Sequence, residues 1–166
     1  MPIYTASFSA YAATKAQDVF QITAPSTNRI RIREIRIGQY TDFGDAAAEI
    51  LSVTVLRGGL GDGSNAADTG TDPVAIHGWK SVVPASPKSS LLRVNDTGIS
   101  GDTGSNAVTV MADVMNIAAG WWYYPPEEEM LILDRGQRLV VRLSAPADSI
   151  TMNGTMVYED IGETGP

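Results

Sequence analysis

The chain has 166 residues, a formal net charge of −7, no cysteine and one histidine. These counts exclude disulfide scaffolds, thiolate metal sites and cysteine nucleophiles, and the acidic balance disfavours nucleic-acid binding through phosphate contacts. No apolar run approaches the ~18 residues of a transmembrane helix, and the N-terminus lacks the basic and apolar regions of a signal peptide. We therefore expect one domain over residues 1–166, with neither a membrane nor a nucleic-acid partner.

Apolar residues recur mostly at every second position, which predicts β-strands rather than helices. Two segments rich in Gly, Asp, Asn and Ser, 58–72 and 95–106, are predicted to be long loops. Roughly eight to ten strands without sustained helices predict an all-β, jelly-roll-like antiparallel β-sandwich. The strand-like segments are 4–10, 20–22, 29–37, 51–55, 108–114, 130–133, 139–143 and 150–158.

The strongest strand signal, residues 29–37, changes its alternation midway. Its first two isoleucines occupy even positions and its last two occupy odd positions, so a straight strand would place the pairs on opposite faces. A β-bulge near Arg33 and Glu34 would turn all four isoleucines toward one core. The segment 130–133 is apolar at every position, which predicts a strand buried on both faces.

No residue pattern in the chain predicts an enzyme, a cofactor site or a metal site. His77 is not accompanied by a Gly-x-Ser-x-Gly elbow, and we interpret it as a surface or turn residue. The acidic run 127–129 is interpreted as a solvated loop or an interface charge patch, because contiguous carboxylates do not identify an acid–base pair. The aspartates of the two predicted loops fit no calcium-binding repeat, and turn formation accounts for them.

Arg29, Arg31, Arg33 and Arg36 form the only basic cluster. Alternation places the arginines of the first half opposite the isoleucines, toward solvent or a partner. Two interpretations stay open: a solvated strand face with ion pairs, or a charged subunit interface, where the planar arginine fork pairs well with carboxylates. We include the four arginines in a candidate interface.

Four consecutive aromatic residues, Trp121, Trp122, Tyr123 and Tyr124, complete the candidate interface. In a strand, the first and third face one way and the second and fourth face the other. One pair can fill the core, while the other is covered by a loop of the same chain, a neighbouring subunit or a sugar ring. Trp and Tyr are frequent anchors of protein interfaces.

Several stretches together resemble small virion proteins of tailed bacteriophages, of the capsid decoration (cement) type. They lie toward both ends of the chain and are strand patterns rather than a catalytic signature. They are YTASF (4–8) with AQDVFQI (16–22), RIREIRIGQ (31–39), GQRLVVRL (136–143) and PADSITMNGTM (146–156).

The resemblance implies a jelly-roll or related sandwich that forms a homotrimer on the outer capsid surface and binds the major capsid protein. Such a protein assembles in the host cytoplasm, acts by multivalent contact and has no catalytic residues. Two alternatives remain open: a tail, head–tail accessory or receptor-binding virion protein, and a carbohydrate-binding β-sandwich that uses Trp121, Trp122 or Tyr124 as a stacking platform.

Overall fold

The protein is described here by a computed structural model, which covers residues 3–40, 49–58, 75–78, 91–97 and 107–161. Eleven strands and one short 3-10 turn, Glu127–Glu129, make up the regular structure of these residues. None of the described residues forms a helix long and apolar enough to cross a membrane. The strands are β1 (Ile3–Ala13), β2 (Gln17–Thr23), β3 (Arg29–Gln39), β4 (Ile50–Gly58), β5 (Ala75–Gly78), β6 (Leu91–Asp96), β7 (Val108–Asn116), β8 (Trp121–Tyr123), β9 (Ile132–Leu133), β10 (Arg138–Leu143) and β11 (Ile150–Ile161).

The strands form two antiparallel sheets. Sheet 1 has the order β5-β1-β11-β3-β8, with β9 also paired to β3, and sheet 2 has the order β6-β2-β10-β4-β7. Eight strands remain if β5 and β6 are left out and β8 and β9 are counted together as one strand. When these eight are numbered along the chain, the strand order is 1-8-3-6 in sheet 1 and 2-7-4-5 in sheet 2. This is the strand order of a jelly roll, in which successive strands cross between two packed sheets. The predicted all-β sandwich is confirmed.

The bulge predicted in β3 is present. Val157 of β11 pairs with Glu34 and the next residue, Tyr158, pairs with Ile32, so Arg33 is the extra, unpaired residue. All four isoleucines of β3 are buried in the core as a result. Arg33 and Glu34, although consecutive, both fall on the outer face of sheet 1.

The core fills the space between the two sheets. Phe8 of β1 and Phe20 of β2 meet across it, with ring centroids 5.2 Å apart. Gly154 of β11 lies opposite Phe8, and a Cβ at this glycine would stand 2.3 Å from the Phe8 ring. The glycine therefore makes room for the phenylalanine that joins the two sheets.

Two sequence-based expectations are corrected. Residues 130–133 do not form a strand buried on both faces: β9 has two residues, of which Leu133 is buried and Ile132 is exposed, because β9 lies at the margin of sheet 1. The predicted loops are shorter than expected at their ends, since Gly58 belongs to β4 and Asn95 and Asp96 belong to β6. The rest of these loops, apart from Thr97, lies outside the described residues.

Candidate interaction surfaces

The four consecutive aromatic residues are divided between the core and solvent. β8 pairs with β3, and its alternation buries Trp121 and Tyr123 between the sheets. Trp122 and Tyr124 face outward, with 64% and 68% of their surface exposed, and their ring centroids are 6.1 Å apart. Of the four aromatic residues in the candidate interface, Trp121 and Tyr123 are therefore core residues, and only Trp122 and Tyr124 are available to a partner.

Each buried aromatic residue of β8 is held by hydrogen bonds. The Trp121 indole Nε1 donates to Asp113 Oδ2 of β7 at 3.0 Å, which ties sheet 1 to sheet 2. Asp113 Oδ1 also accepts a bond from the backbone N–H of Val114 at 2.8 Å. The backbone bond from Val114, followed by the indole bond, lowers the pKa of Asp113.

The Tyr123 hydroxyl connects β8 to the segment that follows it. It accepts a hydrogen bond from the backbone N–H of Leu131 at 3.0 Å and donates to the carbonyl of Glu129 at 3.4 Å. Burial of the phenol raises the pKa of Tyr123. These contacts, with those of Trp121, give the exposed pair Trp122 and Tyr124 a rigid base.

The turn before β8 depends on Gly120. Its φ is +74°, a backbone conformation that residues with a Cβ rarely adopt, and its N–H donates to the Asn116 carbonyl at 2.9 Å. A Cβ at this position would lie 2.7 Å from the carbonyl oxygen of Ile37. Glycine thus allows β8 to begin in close contact with β3.

Pairing of β8 with β3 places Trp122 directly opposite Arg36 on the outer face. The guanidinium carbon of Arg36 lies 5.2 Å from the centre of the Trp122 ring, a cation–π distance. Both Trp122 Nε1, at 2.9 Å, and Arg36 Nε donate to the same oxygen, Oε1, of Glu34. The bond to Glu34 raises the pKa of Arg36, and the Glu34 side chain is only 8% exposed.

The other arginines of β3 are placed differently along the strand. Arg33 NH1 lies 3.0 Å from Glu159 Oε2, and Arg31 NH1 lies 2.9 Å from Glu127 Oε1 and 3.7 Å from Glu159. Together with the Arg36–Glu34 pair, three arginines are matched by three glutamates. The acidic run 127–129 thus supplies a partner for one arginine. Arg29, at the beginning of β3, is exposed.

A cleft of about 170 Å³ lies beside the exposed aromatic pair and spans β1, β11 and β3. It is lined by Ile3, Arg33, Glu34, Tyr124 and Val157. We call the group Arg33, Glu34, Arg36, Trp122 and Tyr124 the aromatic–arginine surface. The role of Glu34 was not evident in the sequence, where it is an isolated acid within a run of arginines.

A second exposed surface lies on sheet 2. β7 is an edge strand, paired on one side with β4 and on the other with no described strand. Val108 and Val114 of β7 and Ile50 of the neighbouring strand β4 are exposed, and Asp113 is the one charged residue of β7. We call β7 with these three aliphatic side chains the β7 surface. Alternation predicted this strand, but nothing in its sequence indicated an edge position.

The remaining predicted features lie outside these two surfaces. His77 belongs to β5, where it pairs with Thr5 of β1 at the edge of sheet 1. Asp96 is buried at the end of β6 and accepts a hydrogen bond from Gln21. Within the described ranges, no cluster of three or more His, Asp or Glu side chains is placed to hold a metal ion.

Comparison with known proteins adds no family to this description: no protein-family model and no curated protein matches the chain. The features of the molecule that indicate a function are therefore the jelly-roll fold, the two exposed surfaces and the chemistry of their side chains. Fold alone does not decide function, so the surfaces carry more weight.

Proposed function

We propose that the chain is a structural protein of a bacteriophage virion, of the capsid decoration type, that stabilises the head by protein–protein contacts. Its fold supports this proposal, since jelly rolls are common in viral shells. The stretches that resemble decoration proteins fall mainly on β1, β2, β3, β10 and β11, which include the central strands of both sheets. The proposed partners are the major capsid protein and further copies of the chain in a homotrimer.

The observation that carries the proposal is the presence of two exposed surfaces on different sheets. A clamp needs at least two contacts, one with the shell and one with a neighbouring copy, and their combination gives avidity beyond either contact alone. Trp122 and Tyr124 supply aromatic anchors on sheet 1, while β7 offers on sheet 2 a backbone edge that no described strand covers, with exposed aliphatic side chains.

The direct test mixes the purified chain with expanded empty capsids and examines them by electron microscopy. We expect additional density on the outer surface, where the shell subunits meet, and a trimer by light scattering of the free protein. Val114→Asp places a charge on the β7 surface and should reduce capsid binding or trimer formation by tenfold or more, because interface anchors contribute about 2 kcal/mol or more.

Tyr40→Ala is the matched control, since Tyr40 is exposed but belongs to neither surface. It should bind capsids and assemble as the unchanged protein does. A monomer that leaves expanded capsids bare would contradict the proposal. Density on the tail or at the head–tail junction would instead support the alternative of a tail, head–tail accessory or receptor-binding protein.

Carbohydrate binding is the second candidate function, because a specific observation favours it. Trp122 and Tyr124 lie side by side and exposed, as in an aromatic stacking platform, and a polar cleft adjoins Tyr124.

A further inference from the structure

The cleft beside Tyr124 has the chemistry of a ligand site. We propose that it binds one ring of a neutral sugar, with two adjacent hydroxyl groups paired to Arg33 and Glu34 and an apolar ring face against Tyr124. This inference goes beyond capsid decoration and does not depend on it, because it concerns a ligand that the isolated chain can bind. It is carried by four observations on the outer face of sheet 1.

The first observation is the bulge, which places a donor and an acceptor side by side. A guanidinium carries only donors and a carboxylate only acceptors, whereas each hydroxyl both donates and accepts. Arg33 and Glu34 are consecutive, face the same side and line the same cleft. Two neighbouring hydroxyls of a sugar ring can form hydrogen bonds with both side chains at once. A backbone amide is less suited to this, because its N–H and C=O point in opposite directions.

The second observation is the unused bonding capacity of the two charged groups. Glu34 Oε1 accepts from Arg36 and from Trp122, and Oε2 has no partner among the described residues. Arg33 uses NH1 for Glu159, which leaves further N–H groups of the guanidinium. Some polar atoms of Arg33 and Glu34 therefore hold these side chains in place, and other polar atoms of the same side chains are left to bind a ligand.

The third observation is the apolar part of the site. Tyr124 lies next to Trp122 at 6.1 Å between centroids, and both rings are largely exposed. Ile3 and Val157 form the opposite, aliphatic part of the cleft. Ligand sites typically combine such apolar walls with a few placed polar groups, and aromatic faces pack well on the C–H face of a sugar.

The fourth observation is the balance of charge, which favours a neutral ligand. Three arginines and three glutamates on this face are already paired, at 2.9 Å and 3.0 Å for Arg31 with Glu127 and Arg33 with Glu159. A charged ligand in the cleft would meet Arg33 and Glu34 side by side, so attraction to one of these charges would be offset by repulsion from the other. Uncharged hydroxyls make hydrogen bonds without disturbing the pairs.

The test uses saturation-transfer NMR of the full chain with methyl glycosides of glucose, galactose, mannose and N-acetylglucosamine, each at about 10 mM. We expect binding of at least one glycoside with a Kd on the order of 1 mM, a typical weak affinity. Tyr124→Ala should weaken this binding about tenfold or more, whereas Tyr124→Phe, which keeps the ring, should retain it within about twofold.

Glu34→Gln tests the hydrogen bonds, because the amide keeps an oxygen for Trp122 and presents N–H groups where the sugar needs an acceptor. We expect roughly a tenfold loss, as for a bond to a charged group. Tyr40→Ala is the control and should bind as the unchanged chain does, and the melting temperature verifies that each variant folds. If Glu34→Gln fails to fold, the contrast between Tyr124→Ala and Tyr124→Phe decides.

Three results would overturn the inference. The first is that the unchanged chain binds none of the four neutral glycosides. The second is that it binds only acidic sugars such as glucuronic acid, and the third is that binding survives both Tyr124→Ala and Glu34→Gln. Capsid binding, measured in parallel, separates these results from failure of the decoration proposal, since a chain that decorates capsids without binding sugars contradicts only the cleft.

Discussion

The aromatic–arginine surface and the β7 surface differ in what they offer a partner. On sheet 1, a partner would be recognised by side chains. Every described charged side chain there except Arg29 has a hydrogen-bond or ion-pair partner within 3.0 Å, and two aromatic rings are exposed beside these pairs. On sheet 2, β7 offers a backbone edge, two exposed valines and one carboxylate that is already bonded, and Ile50 of β4 lies beside it.

This difference has a topological cause. The outer face of β3 lies between β11 and the short strands β8 and β9, so its side chains have neighbours on both sides and organise into pairs. Among the described strands, β7 has a neighbour on one side only, and an edge recognises other strands through its backbone, with little discrimination by side chain. We infer that the first surface can recognise a specific ligand through its side chains, whereas the second is suited to another protein chain.

The largest expected effect concerns the turn that joins the two surfaces. Gly120→Ala should lower the free energy of unfolding by about 2–4 kcal/mol, because it combines an unfavourable φ with a clash against Ile37. Displacement of β8 should also weaken sugar binding, since Trp122 and Tyr124 move with it. Thermal unfolding checks the first effect, with an expected decrease of roughly 5–15 °C.

Gly38→Ala is the matched control for this substitution. A Cβ at Gly38 meets no atom within 4 Å, so the change should be neutral or stabilising by up to about 1 kcal/mol. If both glycine variants melt at the same temperature as the unchanged chain, the turn does not fix β8, and the rigid base that we assign to the aromatic–arginine surface is wrong.

Deletion of Arg33 should distinguish the role of the bulge in the stability of the fold from its role in the ligand site. Without the extra residue, β3 alternates regularly from Ile30 to Ile37, and the pairing of Ile32 and Glu34 with β11 becomes continuous. The loss of the Arg33–Glu159 pair should cost about 1–3 kcal/mol, because the Glu159 carboxylate is nearly buried but keeps Arg31 NH1 at 3.7 Å.

The same deletion should reduce sugar binding about tenfold, because the cleft loses its donor, while assembly through the β7 surface stays unchanged. Unfolding of the deletion variant at room temperature would contradict our reading of the bulge as a feature of the site. Denaturant titration and glycoside NMR on the same sample make both measurements.

The smallest expected effect is the pH dependence of the link between the sheets. Hydrogen bonds lower the pKa of Asp113 below its ordinary value of 3.8, so its contribution to stability is present above pH 3.8 and lost as the pH falls through the lowered pKa. Asp113→Asn should melt slightly below the unchanged chain at pH 7, and the difference should shrink under acid conditions. A difference that grows below pH 3.8 would contradict the bond between Trp121 and Asp113.

Several features of the fold and of the sites were predictable because they depend on local periodicity. The parity change in 29–37 predicted the bulge, and the alternation of 121–124 predicted that one aromatic pair faces the core. The same reasoning failed for 130–133, where an apolar composition was interpreted as burial on both faces although β9 lies at a sheet margin. Periodicity reports which face a residue occupies, but not what lies beside it.

The sequence by itself determined the strand-rich class, the core face of β3, the alternation of the aromatic residues in 121–124, and the absence of cysteine chemistry. Only the tertiary structure decided that Trp121 and Tyr123 are the buried pair, that Trp122 lies opposite Arg36, and that β7 has a described neighbour on one side only. The physical reason is that alternation along one strand is set by its own backbone. Neighbours across a sheet, in contrast, are set by the jelly-roll order, which brings together residues distant in the chain.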